Sequence, residues 1–289
     1  MTRIIESLSQ IGADYDALFC DLWGCLHNGK TAYPAAIAAL QQFRRGGGKV
    51  CLMTNAPRPN PMVERQLNRM GVPTDAWDII VSSGDATQAA MLDGAVGRRV
   101  WHLGPDKDDS FFDLIPPGYE TAEPITRVAL DEAEGIICTG LFDDLTEAPE
   151  DYRTRLTQAQ ALGLPMLSAN PDIVVDMGED RIYCAGALAE LYEELGGKVS
   201  SFGKPHAPIY DRARNLLGLG SGARYLAVGD GINTDILGAT REGIDALFVT
   251  GGLAADSMGP DVENPEPERL TEWLATRQQD PKYSIGRLR

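Results

Sequence analysis

Eight short apolar runs limit what this chain can fold into: YDALFCD, KVCLMTN, WDIIVSS, RRVWHLG, GIICTG, LPMLSAN, YLAVGD and ALFVTGG. Each has the length of a strand, and several are apolar at successive positions. A strand with one wet face alternates apolar and polar residues. A strand covered on both faces does not, as in a parallel sheet packed between helices. Helical patterns lie between the runs. AYPAAIAALQQFRRGGG ends in glycines, a strong stop signal, and NPMVERQLNRMGV, EDYRTRLTQAQALG, CAGALAELYEELGG and APIYDRARNLLGLG behave alike. Strand alternating with helix predicts an α/β fold. GPDVENPEPERLTEW reads as an acidic, Pro-rich surface loop leading to a last helix, and RQQDPKYSIGRLR as a loose or packing tail.

The 289 residues allow one large domain or two smaller ones with a sizeable core. The formal net charge of -16 repels nucleic acid and anionic lipid, so neither is expected as a partner. It would not steer an anionic substrate from afar, so a phosphate site here must act at short range. No run approaches ~18 uninterrupted apolar residues, so no membrane span is expected. The N-terminus, MTRIIESLSQIGADYDALFCDLW, lacks the apolar stretch and small-residue cleavage site of a signal peptide. Cys20, Cys25, Cys51, Cys138 and Cys184 are odd in number and without paired metal spacing, and read as reduced core thiols. A cytoplasmic protein is expected.

Four places carry residues suited to chemistry. Asp21 ends the run DALFC, and a carboxylate at the C-terminal end of a parallel strand points into the usual ligand crevice of an open α/β sheet. Thr54 and Asn55 end KVCLMTN, where a hydroxyl and a backbone N–H can hold a phosphate oxygen. Lys204 lies between Gly203 and Pro205 just ahead of a helix, placed to neutralise charge on a phosphoryl group. Asp230 and Asp235 follow the strongly apolar run YLAVG, and such oxygen donors suit a hard cation. Taken singly, each also reads as an ordinary turn or helix-capping residue.

Taken together, the order Asp, Thr, Lys, acidic pair, each at the end of an expected strand, resembles the four motifs of the haloacid dehalogenase superfamily. SANPDIVVDMGEDRIYCAGALAELYEELGG, FGKPHAPIY and GDGINTDI resemble its class IIA, the sugar-phosphate and 4-nitrophenyl phosphatase branch. That resemblance covers nearly the whole chain. It implies a Rossmann-like core with a parallel sheet flanked by helices, residues 1–84 and 198–289, and an inserted α/β cap of the C2 type, residues 85–197. It implies a Mg²⁺-dependent phosphatase acting on a small phosphorylated metabolite, a sugar, aryl or acyl phosphate. Asp21 would be the nucleophile that forms an aspartyl-phosphate. Thr54 and the Asn55 backbone would hold the phosphoryl group, and Lys204 would stabilise charge. Asp21, the Trp23 carbonyl, Asp230 and Asp235 would serve the metal, with Asp235 acting through bound water or by orienting Lys204. Asn170 and Asp172 would face the substrate from the cap. Relatives in this branch associate through the cap, so a homodimer is the expectation by analogy.

The sequence departs from that pattern at Trp23. Most phosphatases of the superfamily have there a second Asp that protonates the leaving alcohol, and tryptophan cannot exchange a proton at neutral pH. General acid–base help is worth roughly 10²–10⁴-fold in rate, so its loss should weigh most on poor leaving groups. His27, in the HNG turn, is a substitute donor or a plain turn residue, and His102 in RRVWHLG reads as structural. A protein that binds a phosphorylated ligand but turns it over poorly is the alternative reading. An aromatic at position 23 also matches haloacid dehalogenases, but the carboxylates of GDGINTD and the cap type argue against carbon–halogen chemistry.

Overall fold

The computed structural model describes residues 2–116, 118–177 and 180–289. Its strands, in chain order, are β1 (Arg3–Ile4), β2 (Ala17–Cys20), β3 (Lys49–Thr54), β4 (Ile79–Ser82), β5 (Arg99–Leu103), β6 (Thr126–Arg127), β7 (Gly135–Cys138), β8 (Pro165–Ser168), β9 (Val174–Met177), β10 (Asp180–Tyr183), β11 (Lys198–Ser201), β12 (Tyr225–Gly229), β13 (Asp245–Val249) and β14 (Tyr283–Ile285). Each of the eight apolar runs contains one of them. They form a seven-stranded sheet in the order β1-β14-β13-β12-β2-β3-β4 and a five-stranded sheet in the order β11-β8-β7-β5-β6, while β9 and β10 pair antiparallel as a separate two-stranded sheet. Both large sheets are parallel throughout. The α/β expectation, a parallel sheet flanked by helices with a second α/β unit inserted, therefore holds.

The central strands are apolar at every position because both faces are covered. Leu18 and Cys20 of β2 pack with Leu40 and Phe43 of the helix Pro34–Arg45 and with Val63 and Leu67 of the helix Asn60–Arg69. Phe19, between them, points to the opposite face and packs with Ile209, Tyr210 and Ala213 of the helix Ala207–Leu217. In the smaller sheet, Ile136 of β7 packs with Leu156 of Arg153–Ala161 and Leu188 of Ala185–Glu194. Ile137, the next residue, meets Met91 and Leu92 of the helix Ser83–Leu92 on the other side.

That last helix links the two sheets. It starts where β4 ends, with Ser82 Oγ accepting the Asp85 N–H at 3.0 Å, and finishes in the core of the smaller sheet. At the second crossing the structure moves the expected division. Lys198–Ser201, assigned above to the core, pairs with Pro165–Ser168 as the edge of the five-stranded sheet. Its alternating, half-exposed pattern suits an edge and carries no apolar run to mark it.

Of the two readings of the C-terminal segment, loose or packing, the structure shows the second. Tyr283–Ile285 lies between β13 and β1 with all three residues buried. Ile285 is fully buried in the main core cluster. Ile285→Ala should therefore cost about 2–5 kcal/mol in urea unfolding, as for a central core position, whereas a loose tail would lose less than about 0.5 kcal/mol.

Candidate active site

The register of the central strands levels their C-terminal ends. Cys20 of β2 lies opposite Leu52 of β3 and Val228 of β12, and the Asp21 N–H continues the ladder to the Val228 carbonyl at 2.8 Å. Asp21, Thr54, Asn55 and Asp230 consequently emerge along one edge of the sheet. All four are buried, as are Lys204 and Asp235.

Lys204 joins them. Its ammonium is 3% exposed and donates to Asp21 Oδ1 and to Asp235 Oδ1, both at 2.7 Å. The other Asp235 oxygen accepts the Gly231 N–H at 3.1 Å, so both oxygens of this carboxylate are engaged. Asn55 fixes the lysine's backbone. Its Oδ1 accepts the Lys204 N–H at 2.7 Å, and its Nδ2 donates to the Lys204 carbonyl at 3.0 Å and to Asp172 Oδ1 at 2.9 Å. Asn170 Oδ1 accepts the Asp172 N–H at 2.9 Å, and Thr54 Oγ1 accepts the Ala56 N–H at 3.1 Å. The NPD loop of the inserted unit is thereby tied to the ends of β3 and of the lysine loop.

Asp230 accepts the Leu253 N–H at 2.9 Å and faces Asp21. Gly24, with φ +73°, presses against it: a Cβ there would lie 2.1 Å from Asp230 Oδ2, so only glycine allows the approach. One ligand atom from each of Asp21, Cys25 and Asp230 lies within 4.8 Å of the others. The cluster thus contains two of the four residues expected to serve a metal. Asp235 holds Lys204, one of the two roles expected for it. Cys25, read above as a plain core thiol, sits beside the carboxylates, though burial pushes its pKa well above the thiol range and keeps it protonated.

Burial dominates the electrostatics. It pushes the Asp21 carboxyl up to about 7, with the Lys204 charge pulling it back. It raises Asp230 well above the carboxylate range, helped by Asp21 and Asp235, and brings Asp172 to about 6. Burial alone would lower the Lys204 pKa, but Asp21, Asp235 and Asp172 outweigh it and hold the ammonium firmly charged. These are several carboxyl groups around one buried cation, a surplus of negative charge that a divalent ion would balance.

A cavity of about 370 Å³ opens over this edge, between the two units. Asp21, Trp23, Thr54, Asn170, Asp172 and Asp230 line it, while Asn55, Lys204 and Asp235 stand behind that wall. The Trp23 ring lies over Gly29, where a Cβ would come within 2.4 Å of it, and edge-on to His27 at 5.3 Å. His27 does not line the cavity. It is 1% exposed, its Nδ1 accepts the Gly29 N–H at 3.0 Å, and burial lowers its pKa to about 4. It is therefore a neutral turn residue that packs against Trp23. All five cysteines are buried and free, and among the described residues no helix is long and apolar enough to cross a membrane.

The haloacid dehalogenase-like hydrolase family matches residues 18–114, and a related hydrolase family of the same superfamily matches residues 201–275. A solved haloacid dehalogenase-like hydrolase from Brucella suis is 38% identical, superposes with a TM-score of 0.84, and aligns over 99% of this chain and 100% of its own. Among curated proteins, D-glycerol 3-phosphate phosphatase of Mycobacterium tuberculosis is 25% identical over 271 residues, 92% of this chain and 71% of that one. The acid sugar phosphatase of Staphylococcus aureus is 25% identical over 256 residues, 86% of this chain and 91% of that one. With the four motif segments converging on one sheet edge and an inserted α/β unit facing them, the chain belongs to the haloacid dehalogenase-like hydrolases, in their phosphatase-type class IIA branch.

Proposed function

We propose that the protein is a Mg²⁺-dependent phosphatase acting on a small phosphorylated metabolite, a sugar, aryl or acyl phosphate, through an aspartyl-phosphate at Asp21. The observation that carries this reading is the buried Lys204 ammonium shared between Asp21 and Asp235, directly behind a cavity lined by Asp21 and Asp230. Lys204 draws the Asp21 carboxyl toward the ionised form against the burial that raises its pKa, and the ionised carboxylate is a nucleophile able to attack phosphorus. Thr54 and the Asn55 backbone would hold the phosphoryl oxygens, and Lys204 would carry part of the charge that develops on them. Asn170 and Asp172 would meet the substrate from the inserted unit, which acts as the cap. In this division the cap ends with Ser201, and the core resumes at residue 202.

A hard divalent cation suits the donors present. Asp21 and Asp230 bring carboxylate oxygens together, and the Trp23 main-chain carbonyl belongs to the same loop. The Cys25 thiol is a soft donor and does not suit magnesium. When bound, the ion would neutralise charge between nucleophile and phosphoryl group. Asp235 would serve through Lys204, which it holds. The protein is read as cytoplasmic and as a homodimer through the cap.

A second reading rests on Trp23. With no proton donor at that position, the chain could hold a phosphorylated ligand and hydrolyse it poorly. The deciding experiment is a phosphate-release screen with Mg²⁺ and with EDTA. Asp21→Asn should reduce release by roughly 10³-fold or more. Activity that persists in the variant or in EDTA would sink the phosphatase reading. A folded protein that binds vanadate but hydrolyses nothing would favour the binding reading.

The leaving-group trend should follow Trp23. Trp23→Asp should speed an alkyl phosphate by about 10–10²-fold and an aryl phosphate by much less, because only the poor leaving group needs the proton. Equal gains on both esters, or none, would mean that proton donation at this position does not limit the rate.

Metal binding should depend on pH in a definite sense. Without metal, the buried Asp21 and Asp230 carboxyls keep their protons to a higher pH than ordinary carboxylates, Asp21 to about 7. A cation must displace those protons, so it binds more tightly once pH has risen through that range. The rise in Tm on adding excess MgCl₂ should accordingly be larger at pH 8 than at pH 5.5. A shift independent of pH would place magnesium elsewhere.

A further inference from the structure

The last strand brings one more charged residue to the sheet edge that carries Asp21. β14 runs parallel to β13 with Ile285 opposite Val249, and β13 lies level with β12, with Phe248 opposite Gly229. The chain past Ile285 therefore emerges at the same edge as Asp230, which follows Gly229 directly. Arg287, two residues beyond the strand, lines the cavity together with Tyr33 and Asp230. Between them lies the double-glycine turn that ends the run ALFVTGG. A Cβ at Gly252 would come within 1.9 Å of Asp230 Oδ2, and one at Gly251 within 3.0 Å of Arg287 Cγ and 2.6 Å of the Gly286 carbonyl oxygen. The arginine stem and the Asp230 carboxylate thus pack against one turn that has no side chains of its own.

The guanidinium is held by packing and left open. Its central carbon stands 5.1 Å from the centre of the Tyr33 ring, a cation on an aromatic face. The side chain is 40% exposed, so a ligand in the cavity can reach it. Glu263 is its ion-pair partner among the described residues, but at 3.9 Å from Nε, beyond hydrogen-bond range. Glu263 is itself held by Arg289, whose Nη1 donates to Glu263 Oε2 at 2.6 Å. Among the described residues no acceptor is hydrogen-bonded to the Arg287 guanidinium, and the Tyr33 hydroxyl has no partner either.

The other charges of the lining are better matched. Arg58 faces Asp108 at 3.6 Å and donates to Gln66 Oε1 at 3.2 Å, and Lys107 is bonded to Asp144. Asp176, on β9, accepts from Arg181 Nε at 2.7 Å and from its Nη2 at 3.0 Å. Arg287 is left as a planar cation with five N–H donors and nothing to receive them. A guanidinium in that state suits an anionic oxygen group, which it can grip with two parallel hydrogen bonds. The acidic chain repels anions from afar, so such a group is recognised at contact.

We propose that Arg287, stacked on Tyr33, binds a second anionic group, a carboxylate or a second phosphate, at the far end of the leaving group of an ester whose phosphoryl group lies at Asp21. This rests on the phosphatase reading and, within it, selects esters that are charged at both ends. β14 stands two strands from β12, roughly 10 Å at about 4.8 Å per strand, so several bonds must separate the two anionic groups. Arg287 is a specificity residue and takes no part in bond breaking. Binding energy from a recognised leaving group can be used to orient the ester, which matters more where Trp23 gives no acid to assist departure.

The test pairs each ω-carboxyalkyl phosphate of a graded spacer series with the alkyl phosphate of the same length, through the ratio of their kcat/KM values. The bisphosphate of each spacer ranks a second phosphate against the carboxylate. At the best spacer the wild type should favour a doubly anionic ester by about ten-fold or more, the size expected of a charge-assisted pair. Arg287→Met keeps the apolar stem and should reduce that ratio by about ten-fold. Arg287→Lys keeps the charge without the fork and should reduce it by a smaller factor; it carries the test if the methionine variant misfolds. A merely structural role would slow both esters together and leave the ratio unchanged. An unchanged ratio in Arg287→Met, or in Arg287→Lys where only that variant folds, overturns the subsite. So does a wild type that prefers neither anion at any spacer. If no ester is hydrolysed, the phosphatase reading has failed, and dissociation constants of the same compounds decide the subsite. A preference for the doubly anionic compound that is lost in the Arg287 variants supports it, and equal or absent binding overturns it.

Discussion

The structure at the site depends on one buried cation among several carboxyl groups. Lys204 satisfies Asp21 and Asp235 at once, and Asp230 and Asp172 stand close enough for their fields to reach it. Removing one member of such a cluster leaves charge buried without a partner, which typically costs about 3–5 kcal/mol. The lysine is accordingly held from two directions. Asp235 fixes the ammonium, and Asn55 clamps the backbone on both sides of the residue, accepting its N–H and donating to its carbonyl. Four distant stretches of sequence can meet there because β2, β3 and β12 end at the same level. The parallel sheet thus acts as a ruler for the chemistry.

The same Asn55 ties the cap to the core. Its amide donates to Asp172, on the loop between β8 and β9, so the position of the NPD loop is coupled to the lysine loop. Gly186 reinforces the coupling from behind. Its N–H donates to the Asp172 carbonyl at 3.1 Å, and a Cβ at this residue would lie 2.4 Å from both the Pro171 and the Asp172 carbonyl oxygens. The first turn of the helix Ala185–Glu194 therefore rests directly on the loop that faces Asp21. The Gly-rich helix start that resembled class IIA in the sequence has this packing as its physical reason.

What could be read from the sequence follows burial. The eight apolar runs were legible because their strands are covered on both faces. Lys198–Ser201 and the pair Val174–Met177 and Asp180–Tyr183 were not, because half-exposed strands mix polar and apolar residues and form no run. Tyr283–Ile285 was hidden by its shortness and by the Pro281–Lys282 and Gly286 that flank it. At the site, Asp21, Thr54, Lys204 and Asp230 were legible through their order and their place at strand ends. The division of labour between Asp230, which faces Asp21, and Asp235, which holds Lys204, was implied by the family resemblance and not by the spacing, since five residues of separation cannot say which way each side chain turns.

Trp23 changes what the rest of the site must do. Its ring needs Gly29 beneath it and leans on a buried, neutral His27, so an aromatic at this position is built into the turn. Tryptophan carries no exchangeable proton at neutral pH, so on the phosphatase reading the floor of the cavity would hold and attack a phosphoryl group without an acid at residue 23 to protonate the departing oxygen. Whatever selectivity such a floor has would then depend on how the leaving group is held, and the inserted unit supplies the facing wall, with Thr139, Asn170 and Asp172 in its lining.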